Sequence, residues 1–534
     1  MEQASATRRG FLKALGISVA TGALAREAAA AEKAAKPNVI LVLTDDQGWT
    51  DTSVPMMAAR ADSRSDFYRT PALERLAREG VVFSNAYAPA PTCTPSRASI
   101  QFGKTPARLR QTVVHDVLAQ SRGIDCKTEV SIAQMVKAAA PTYLTAHFGK
   151  WGFPPRSPEH AGYDATDGNS NNGDGDWLSA KGDAALPPDD PKRIFSLTKR
   201  ANAFMARCVA ERRPFFMQVS HYAPHVQHAA RAETLARCKA RPRGGKCTPA
   251  DYADPPPARN AWGLLYAAMI EDLDAGLGML LDKLDELGIV GSTYVIFTSD
   301  NGGGFRGNVP LRGGKAQLWE GGIRVPTVVR GPGVLAGAQC DTPIAGWDFF
   351  PTISDLVGNT KPLPEGLDGG SLRPLLESSN AGKIARGTEG LVFHFPWYAD
   401  VPMSAIRLGD YKLLRDLNTG EARLFNLAED IGEASDLSKT MPDKAAELQA
   451  RLTDYLKAVD AESIADLRAA RRDELLRYQA RARQQIAELR ERIGGAAAEG
   501  RRELEAKLQE QQRLLEGHQR ALDQLEHARD VKAW

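Results

Sequence analysis

No stretch of the 534-residue chain approaches the roughly 20 uninterrupted apolar residues that a membrane-spanning helix requires, which excludes an integral membrane span. Neither sign of charge dominates. With 68 Lys and Arg against 66 Asp and Glu, the net charge of +2 removes the electrostatic reason to expect nucleic acid as a partner. Cysteine is scarce, at six residues, and none lies near the N-terminus where a lipid anchor would attach. The 43% hydrophobic content is ordinary for a globular protein, and the length exceeds the usual single domain, so two or more domains are expected.

Four apolar runs end in polar residues suited to one site. Asn38 to Leu43 reads as a strand buried on both faces and stops at Asp45-Asp46, and Tyr294 to Thr298 stops at Asp300-Asn301 before three glycines. Tyr143 to Phe148 leads to Gly149-Lys150-Trp151, and Phe215 to Val219 leads to His221 and His225. Any one of these ends also fits a strand-end turn or a helix cap. In an open α/β sheet, however, ligands bind beyond the carboxyl ends of parallel strands, so the four together predict a single rim.

One further stretch, Cys93-Thr94-Pro95-Ser96-Arg97, falls between these runs. With it, the ordered set Thr44-Asp45-Asp46-Gln47-Gly48, Phe148-Gly149-Lys150-Trp151, Ala223-Pro224-His225, Ser299-Asp300-Asn301-Gly302 and Gly314-Lys315 through Trp319-Glu320-Gly321-Gly322-Ile323-Arg324-Val325-Pro326 resembles the sulfatase family of the alkaline-phosphatase superfamily. The resemblance runs from about Pro37 to about Leu437. It implies an α/β fold: an alkaline-phosphatase-like, mostly parallel sheet with helices on both faces and a smaller C-terminal antiparallel-sheet subdomain. It also implies that a maturase oxidises Cys93 to the aldehyde formylglycine. Asp45, Asp46, Asp300 and Asn301 would hold one divalent cation, usually calcium, with the modified Cys93 as a further ligand. Lys150, His225 and Lys315 would hold the sulfate, and Arg97 would fix the aldehyde side chain.

The chemistry agrees with the residue types. Three carboxylates and an amide oxygen are hard donors that suit Ca2+ or Mg2+, whereas zinc recruits His or Cys. A sulfate monoester carries its charge on peripheral oxygens, which the cation and lysines would neutralise while a nucleophile is aligned. A serine hydroxyl could attack, but the resulting sulfo-serine would then need water to cleave it. A hydrated aldehyde has two hydroxyls on one carbon, one to attack sulfur and one to expel sulfate and restore the aldehyde. His225 would protonate the leaving alcohol. One departure stands out. Many family members carry a His two residues after the lysine of the Gly-Lys-Trp motif, and here that position is Gly152. Alternation turns His147 to the opposite face of its strand, which leaves His115 or His221 as substitutes from loops.

The rest of the chain divides as follows. Residues 1–30 resemble a twin-arginine export signal, with Thr7-Arg8-Arg9-Gly10-Phe11-Leu12-Lys13, an apolar stretch and Ala28-Ala29-Ala30 as a cleavage site. The catalytic domain is expected over 37–358, with helices such as Pro71 to Glu79 and Asn260 to Leu287 between strands. A subdomain over 359–460 carries the strand-like runs Leu391 to Phe395, Ser404 to Arg407 and Tyr411 to Leu414. His394 there reads as structural or as a substrate contact. A helical hairpin is expected over 461–534. Its inward stripe is Ile464, Leu467, Arg471, Leu475, Tyr478, Ala482, Ile486, Leu489 and Ile493, and a second helix carries Leu504, Leu508, Leu515, Leu522 and Leu525. That stripe would be covered by the catalytic domain or by another subunit, giving a possible homo-oligomer. Cys238 and Cys247 could form a local disulfide. The Asp167 to Trp177 stretch reads as a surface loop near the mouth, and its spacing does not reproduce an EF-hand.

These readings point to a periplasmic or otherwise exported sulfuric ester hydrolase acting on a small or oligosaccharide sulfate ester, most plausibly a sulfated carbohydrate. Its partners would be the maturase and the twin-arginine export machinery, with no nucleic acid and no stable membrane anchor. Two alternatives stay open: a phosphate ester hydrolase of the same superfamily, and a catalytically silent sulfated-glycan binding protein.

Overall fold

A computed structural model of the chain describes residues 36–113, 129–152, 157–172, 187–242, 263–304, 308–397, 402–495 and 498–527. The export signal, His115, Cys126, Cys247 and the loop from residue 173 to Trp177 lie outside the described residues. Among them, no helix is long and apolar enough to cross a membrane.

The strands of the first part of the chain are β1 (Asn38–Asp45), β2 (Val81–Phe83), β3 (Ala86–Tyr87), β4 (Leu144–Gly149), β5 (Ala165–Thr166), β6 (Phe215–Pro224), β7 (Thr293–Ser299), β8 (Val328–Arg330), β9 (Ala338–Cys340) and β10 (Ile344–Ala345). Eight of them form one sheet in the order β5-β4-β6-β1-β7-β8-β2-β9, and β3 pairs with β10. Neighbours from β5 to β7 are parallel, and β8 runs antiparallel to both β7 and β2. The mostly parallel α/β sheet implied by the sequence is therefore present.

Why the strand runs are continuously apolar is visible at β1. Val39, Leu41 and Leu43 enter one core, with α3 (Ile132–Ala139) and α6 (Phe349–Leu356), whereas Ile40 and Val42 enter another, with α1 (Pro71–Arg78), α4 (Ile194–Ala210) and α5 (Leu264–Glu286). Period-two alternation feeds both faces, and each fully buried aliphatic side chain contributes about 1.5–3 kcal/mol relative to exposure. Between β3 and β4 lies α2 (Cys93–Phe102), buried throughout and ended by Gly103. Helix α1 starts on a proline, and its Ala72 and Leu73 amides donate to Asp274 of α5 at 2.9 Å each, so a carboxylate from another helix closes its N-terminus.

The C-terminal sheet is antiparallel, β11 (Leu391–Phe395), β12 (Met403–Leu408), β13 (Tyr411–Asp416) and β14 (Ala422–Asn426) in sequence order. Leu391, Phe393 and Phe395 pack towards Tyr87 and Trp347 of the catalytic part. Val392, Ile406 and Leu413 pack on α7 (Pro442–Ala458) through Leu448, Leu452 and Leu456. His394 is structural: it is buried, its Nδ1 is 2.7 Å from Ser404 Oγ and its Nε2 is 2.8 Å from the Glu462 carbonyl. Burial pushes its pKa down to about 4.

Two long helices follow, α8 (Ile464–Gly495) and α9 (Ala498–His527), and they pack on each other. Of the expected stripe, Leu467, Leu475, Ala482, Ile486 and Leu489 are buried, together with Glu474 and Gln479, which the apolar pattern did not mark. The expected cover was the catalytic domain or another subunit. Instead α9 provides it: the Tyr478 and His518 rings stack at 5.2 Å, and Gln479 donates to Gln519 at 2.8 Å. The base of α8 is tied to the main body, where Leu467 meets Val113 and Trp397. Glu462, just before α8, accepts from Thr112 at 2.8 Å. Removing residues 473–534 is therefore expected to leave turnover of a small sulfate ester within about tenfold, no more than roughly 1.4 kcal/mol in the barrier. Steady-state rates and gel-filtration size of the truncated protein check this, a drop in size meaning that the hairpin also joins two chains. Cutting at Asp460 instead would remove Glu462 and Leu467 and lower the melting temperature.

Candidate active site

Parallel pairing brings four strand ends to one level. Leu43 of β1 lies beside Ser220 of β6, Thr44 beside Ser299 of β7, and Gly149 of β4 beside Ser220. Asp45-Asp46, Asp300-Asn301, Lys150 and His225 consequently emerge on one rim. Two local backbone features sharpen those exits. Asp46 adopts a left-handed conformation at φ 71°, a cost of about 1–3 kcal/mol that tends to accumulate at functional sites. Gly149 has φ 87°, and a Cβ there would lie 2.0 Å from the Ser220 carbonyl, so only glycine lets the chain turn into Lys150.

Cys93 opens α2, and Arg97 follows one turn later on the same face. The loop before them is pinned by Ser96, whose Oγ contacts both the amide and the carbonyl of Ala90 at 3.0 Å. Arg97 is almost wholly buried. Its Nε donates to Asp300 Oδ2 at 2.8 Å and its Nη1 to the Lys150 carbonyl at 2.6 Å. Lys150 Nζ meets Asp45 Oδ2 at 2.6 Å, and Lys315 Nζ, on a partly buried side chain, meets Asp46 Oδ2 at 2.7 Å. Asn301 donates to Asp46 Oδ1 at 2.8 Å, and His225 Nε2 lies 3.8 Å from Asp46 Oδ2. All nine sequence-predicted site residues are thus in one constellation, with three carboxylates opposite three permanent cations.

The electrostatics follow from that packing. Burial would raise the Asp45 pKa, but Lys150, His225, Arg97 and Lys315 outweigh it and hold the carboxyl well below its usual range. Asp46 is likewise lowered, burial being overcome by Lys315 and His225. Asp300, deepest among other acids, is pushed up to about 7 by burial and by Asp45, with Arg97 in opposition. Burial lowers His225, and Asp46 and Asp45 oppose it. Against the desolvation that would lower them, Lys150 and Lys315 are raised, first by Asp45 and by Asp46 respectively and next by Cys93.

Two buried oxygens on this rim, Asp45 Oδ1 and Asn301 Oδ1, receive no hydrogen bond from the described residues. Buried acceptors without donors are costly, and an oxygen-liganded divalent cation would satisfy both. The donor set therefore fits calcium. Among the described residues, Asp45, Asp46 and His225 also have ligand atoms within 4.8 Å of one another.

Of the two candidate substitute histidines, the described residues include only His221, and it is not at the rim. His115 lies outside the described residues. His221 sits on the α5 side of β6, with its ring 3.9 Å from where a Gly276 Cβ would be, and burial takes its pKa down to about 4. His147 packs between Trp151 and Tyr163 beneath the sheet. Gly152 itself has φ 80°, and a Cβ there would stand 2.9 Å from Arg97 Cδ and 3.4 Å from Lys150 Cε. The position left without a histidine is therefore closed by Arg97. Gly152→His is expected to lower kcat/KM by at least about tenfold rather than raise it, as measured on one sulfate ester alongside circular dichroism.

Three further residues support the rim, and the sequence reading missed them. Asn308 Nδ2 donates to the carbonyls of Gly303 and Gly304 at 2.9 Å and of Gly313 at 3.1 Å, binding the glycine run after Asn301 to the Lys315 loop. Glu433 accepts from the Glu320 amide at 2.7 Å and lies 2.9 Å from Lys412 Nζ, while its carbonyl accepts from Arg312. Lys192 donates to the loop carrying His225. Lys192 and Glu433 act across more than thirty residues of chain, whereas Asn308 acts on glycine carbonyls four and five residues away and so carries a local hint. Cys238 forms no disulfide among the described residues, its expected partner being outside them.

A parallel sheet whose carboxyl rim gathers acids, fixed cations and an imidazole defines a hydrolase of anionic esters. The family model described as Sulfatase matches residues 37–359. Human arylsulfatase A is 30% identical over 418 residues, covering 70% of this chain and 74% of that protein. A protein from Formosa agariphila described as a sulfatase is 28% identical over 513 residues, 79% of this chain and 88% of that one. Among solved structures, Ps i-CgsB in complex with k-i-k-neocarrahexaose superposes with a TM-score of 0.66 at 25% identity, covering 80% of this chain and 94% of that one. The chain belongs to the sulfatase family, and it is an enzyme of sulfate ester hydrolysis.

Proposed function

We propose that this chain is an exported, formylglycine-dependent, calcium-binding sulfatase that removes sulfate from a sulfated carbohydrate. The observation that carries the reading is the gathering of Arg97, Lys150 and Lys315 on three carboxylates at the rim, with Cys93 opening the helix that bears Arg97, beside two buried oxygens, one carboxylate and one amide, in need of a cation. Support for a carbohydrate comes from the complex of Ps i-CgsB with k-i-k-neocarrahexaose and from a 28% identical relative named ulvan-active sulfatase. Support for export comes from the Arg8-Arg9 pattern and the alanines at 28–30.

Asp45, Asp46, Asp300 and Asn301 would hold the cation, which when bound neutralises charge on the ester oxygens and acidifies the attacking hydroxyl. The modified Cys93 would supply two hydroxyls on one carbon. Lys150 and Lys315 bind the anionic head, and Arg97 keeps Asp300 and the Lys150 backbone in register with α2. His225 donates its Nδ1 hydrogen to the Val226 carbonyl, which leaves Nε2 to serve the leaving oxygen. A bound sulfate monoester places negative charge beside Nε2 and so favours the imidazolium, the form that donates.

With Gly152 in place of a histidine, sulfate release is expected to limit the rate. Stopped-flow assay of an aryl sulfate should then show a burst of phenol before steady turnover. Rates without a burst that track the leaving group's pKa would mean that ester cleavage limits instead. The substrate class is tested by a screen of sulfated mono- and oligosaccharides with sulfate detection, run beside phosphate esters. Preference for phosphate, or glycan binding without sulfate release after Cys93 oxidation, would overturn the reading.

A further inference from the structure

Lys192 lies outside the stretches that carry the family resemblance, yet its side chain is only 1% exposed. It stands in the turn just before α4, and its Nζ donates to the carbonyls of His225 and Gln227, both at 3.1 Å. Desolvating an ammonium is costly unless strong acceptors surround it, so a buried lysine aimed at a loop constrains that loop. Here the two acceptors flank a single residue, Val226. The carbonyl of Val226 in turn accepts from His225 Nδ1. Because a carbonyl only accepts, Nδ1 carries the hydrogen, and Nε2 is the atom turned towards Asp46. At its far end the loop is tied down separately, by the Arg231 amide and Nε donating to Asp272 of α5 at 2.8 and 2.9 Å. Lys192 is the cation that donates to the backbone on either side of Val226 among the described residues.

We propose that Lys192 is a positioning residue for the leaving-group step. Its ammonium grips the two carbonyls around Val226, the Val226 carbonyl sets the His225 ring, and Nε2 is thereby held on the departing oxygen. The inference rests on the reading of His225 as the acid. A proton donor matters in proportion to how poor the leaving group is. Activated phenols depart without help, whereas a sugar hydroxyl does not. A lysine that served only stability would affect every ester alike.

The test is a leaving-group series of sulfate esters, from a nitrophenol to a simple alcohol, assayed with the full-length, Cys93-oxidised enzyme. Lys192→Met keeps the straight chain and removes the donors. It is expected to lower kcat/KM at least about tenfold for the poorest leaving group and to leave the nitrophenyl ester within about twofold. Lys192→Arg should recover part of the loss, since it restores a cation that donates. His225→Ala is the control: it should show the same selectivity with a larger amplitude, and Lys192→Met added to it should cost nothing more. If His225→Ala is selective while Lys192→Met lowers all esters equally, the positioning role is wrong and the acid reading stands. If His225→Ala is itself uniform across the series, the acid reading falls. Should Lys192→Met not fold, Lys192→Gln, with a neutral donor, takes its place, and a uniform loss in that variant overturns the proposal in the same way.

Discussion

Cys93→Ala is expected to abolish turnover in a protein that still folds, a loss of at least about 10⁴-fold, or roughly 5.5 kcal/mol in the barrier. The side chain opens a buried helix whose backbone hydrogen bonds do not depend on it, so shortening it to a methyl leaves α2 in place. What disappears is the group that opens the helix bearing Arg97, on the rim where Lys150 and Lys315 meet the carboxylates. Cys93→Ser separates the two halves of the proposed chemistry. One hydroxyl can attack sulfur but has no partner on the same carbon to expel the sulfate, so about one equivalent of alcohol should appear and turnover should then stop. Mass spectrometry of the peptide spanning Cys93 from active enzyme completes the test. An unmodified thiol in fully active protein would sink the mechanism.

Asp300→Ala should remove both the cation and the activity. Asp300 holds two things at once: Arg97, through Oδ2 at 2.8 Å, and the Asp46 amide, which donates to Oδ1 at 3.2 Å. Its loss strands a guanidinium that is 1% exposed, and breaking a buried pair from one side costs about 3–5 kcal/mol. The variant should therefore melt earlier as well as lose metal. Asp300→Asn keeps the volume and an acceptor for Arg97, and should recover much of the stability without recovering the cation. Metal analysis and calorimetry on both variants decide the point. Stoichiometric zinc in the unaltered protein, or full calcium occupancy in Asp300→Ala, would contradict the assignment.

The strand ends were legible because a strand buried on both faces has to be apolar along its whole length, so its last apolar residue marks where chemistry can begin. Asp45, Asp300, Lys150 and His225 were found that way, and parallel pairing brought them level. The supporting residues were not legible. Lys192 and Glu433 act on distant backbone groups and Asn308 on the carbonyls of nearby glycines, and a hydrogen bond to backbone leaves no pattern in side-chain order. The space around Gly152 was not legible for a related reason. From the sequence it was a histidine missing, whereas in three dimensions it is the space that Arg97 occupies.

For the C-terminal hairpin, periodicity located both helices but assigned the wrong cover. An apolar stripe states only that something must lie on it, and the identity of the cover depends on which surface the chain can reach after residues 496–497. By itself, then, the sequence determined the layered sheet, the rim and the types of residue on it, because these depend on periodicity and on local order along the chain. Only the tertiary structure decided which cation faces which carboxylate, that α9 covers α8, and that a buried lysine holds the loop of His225. Those pairings join residues far apart in the chain, where distance and desolvation, not spacing, determine the partner.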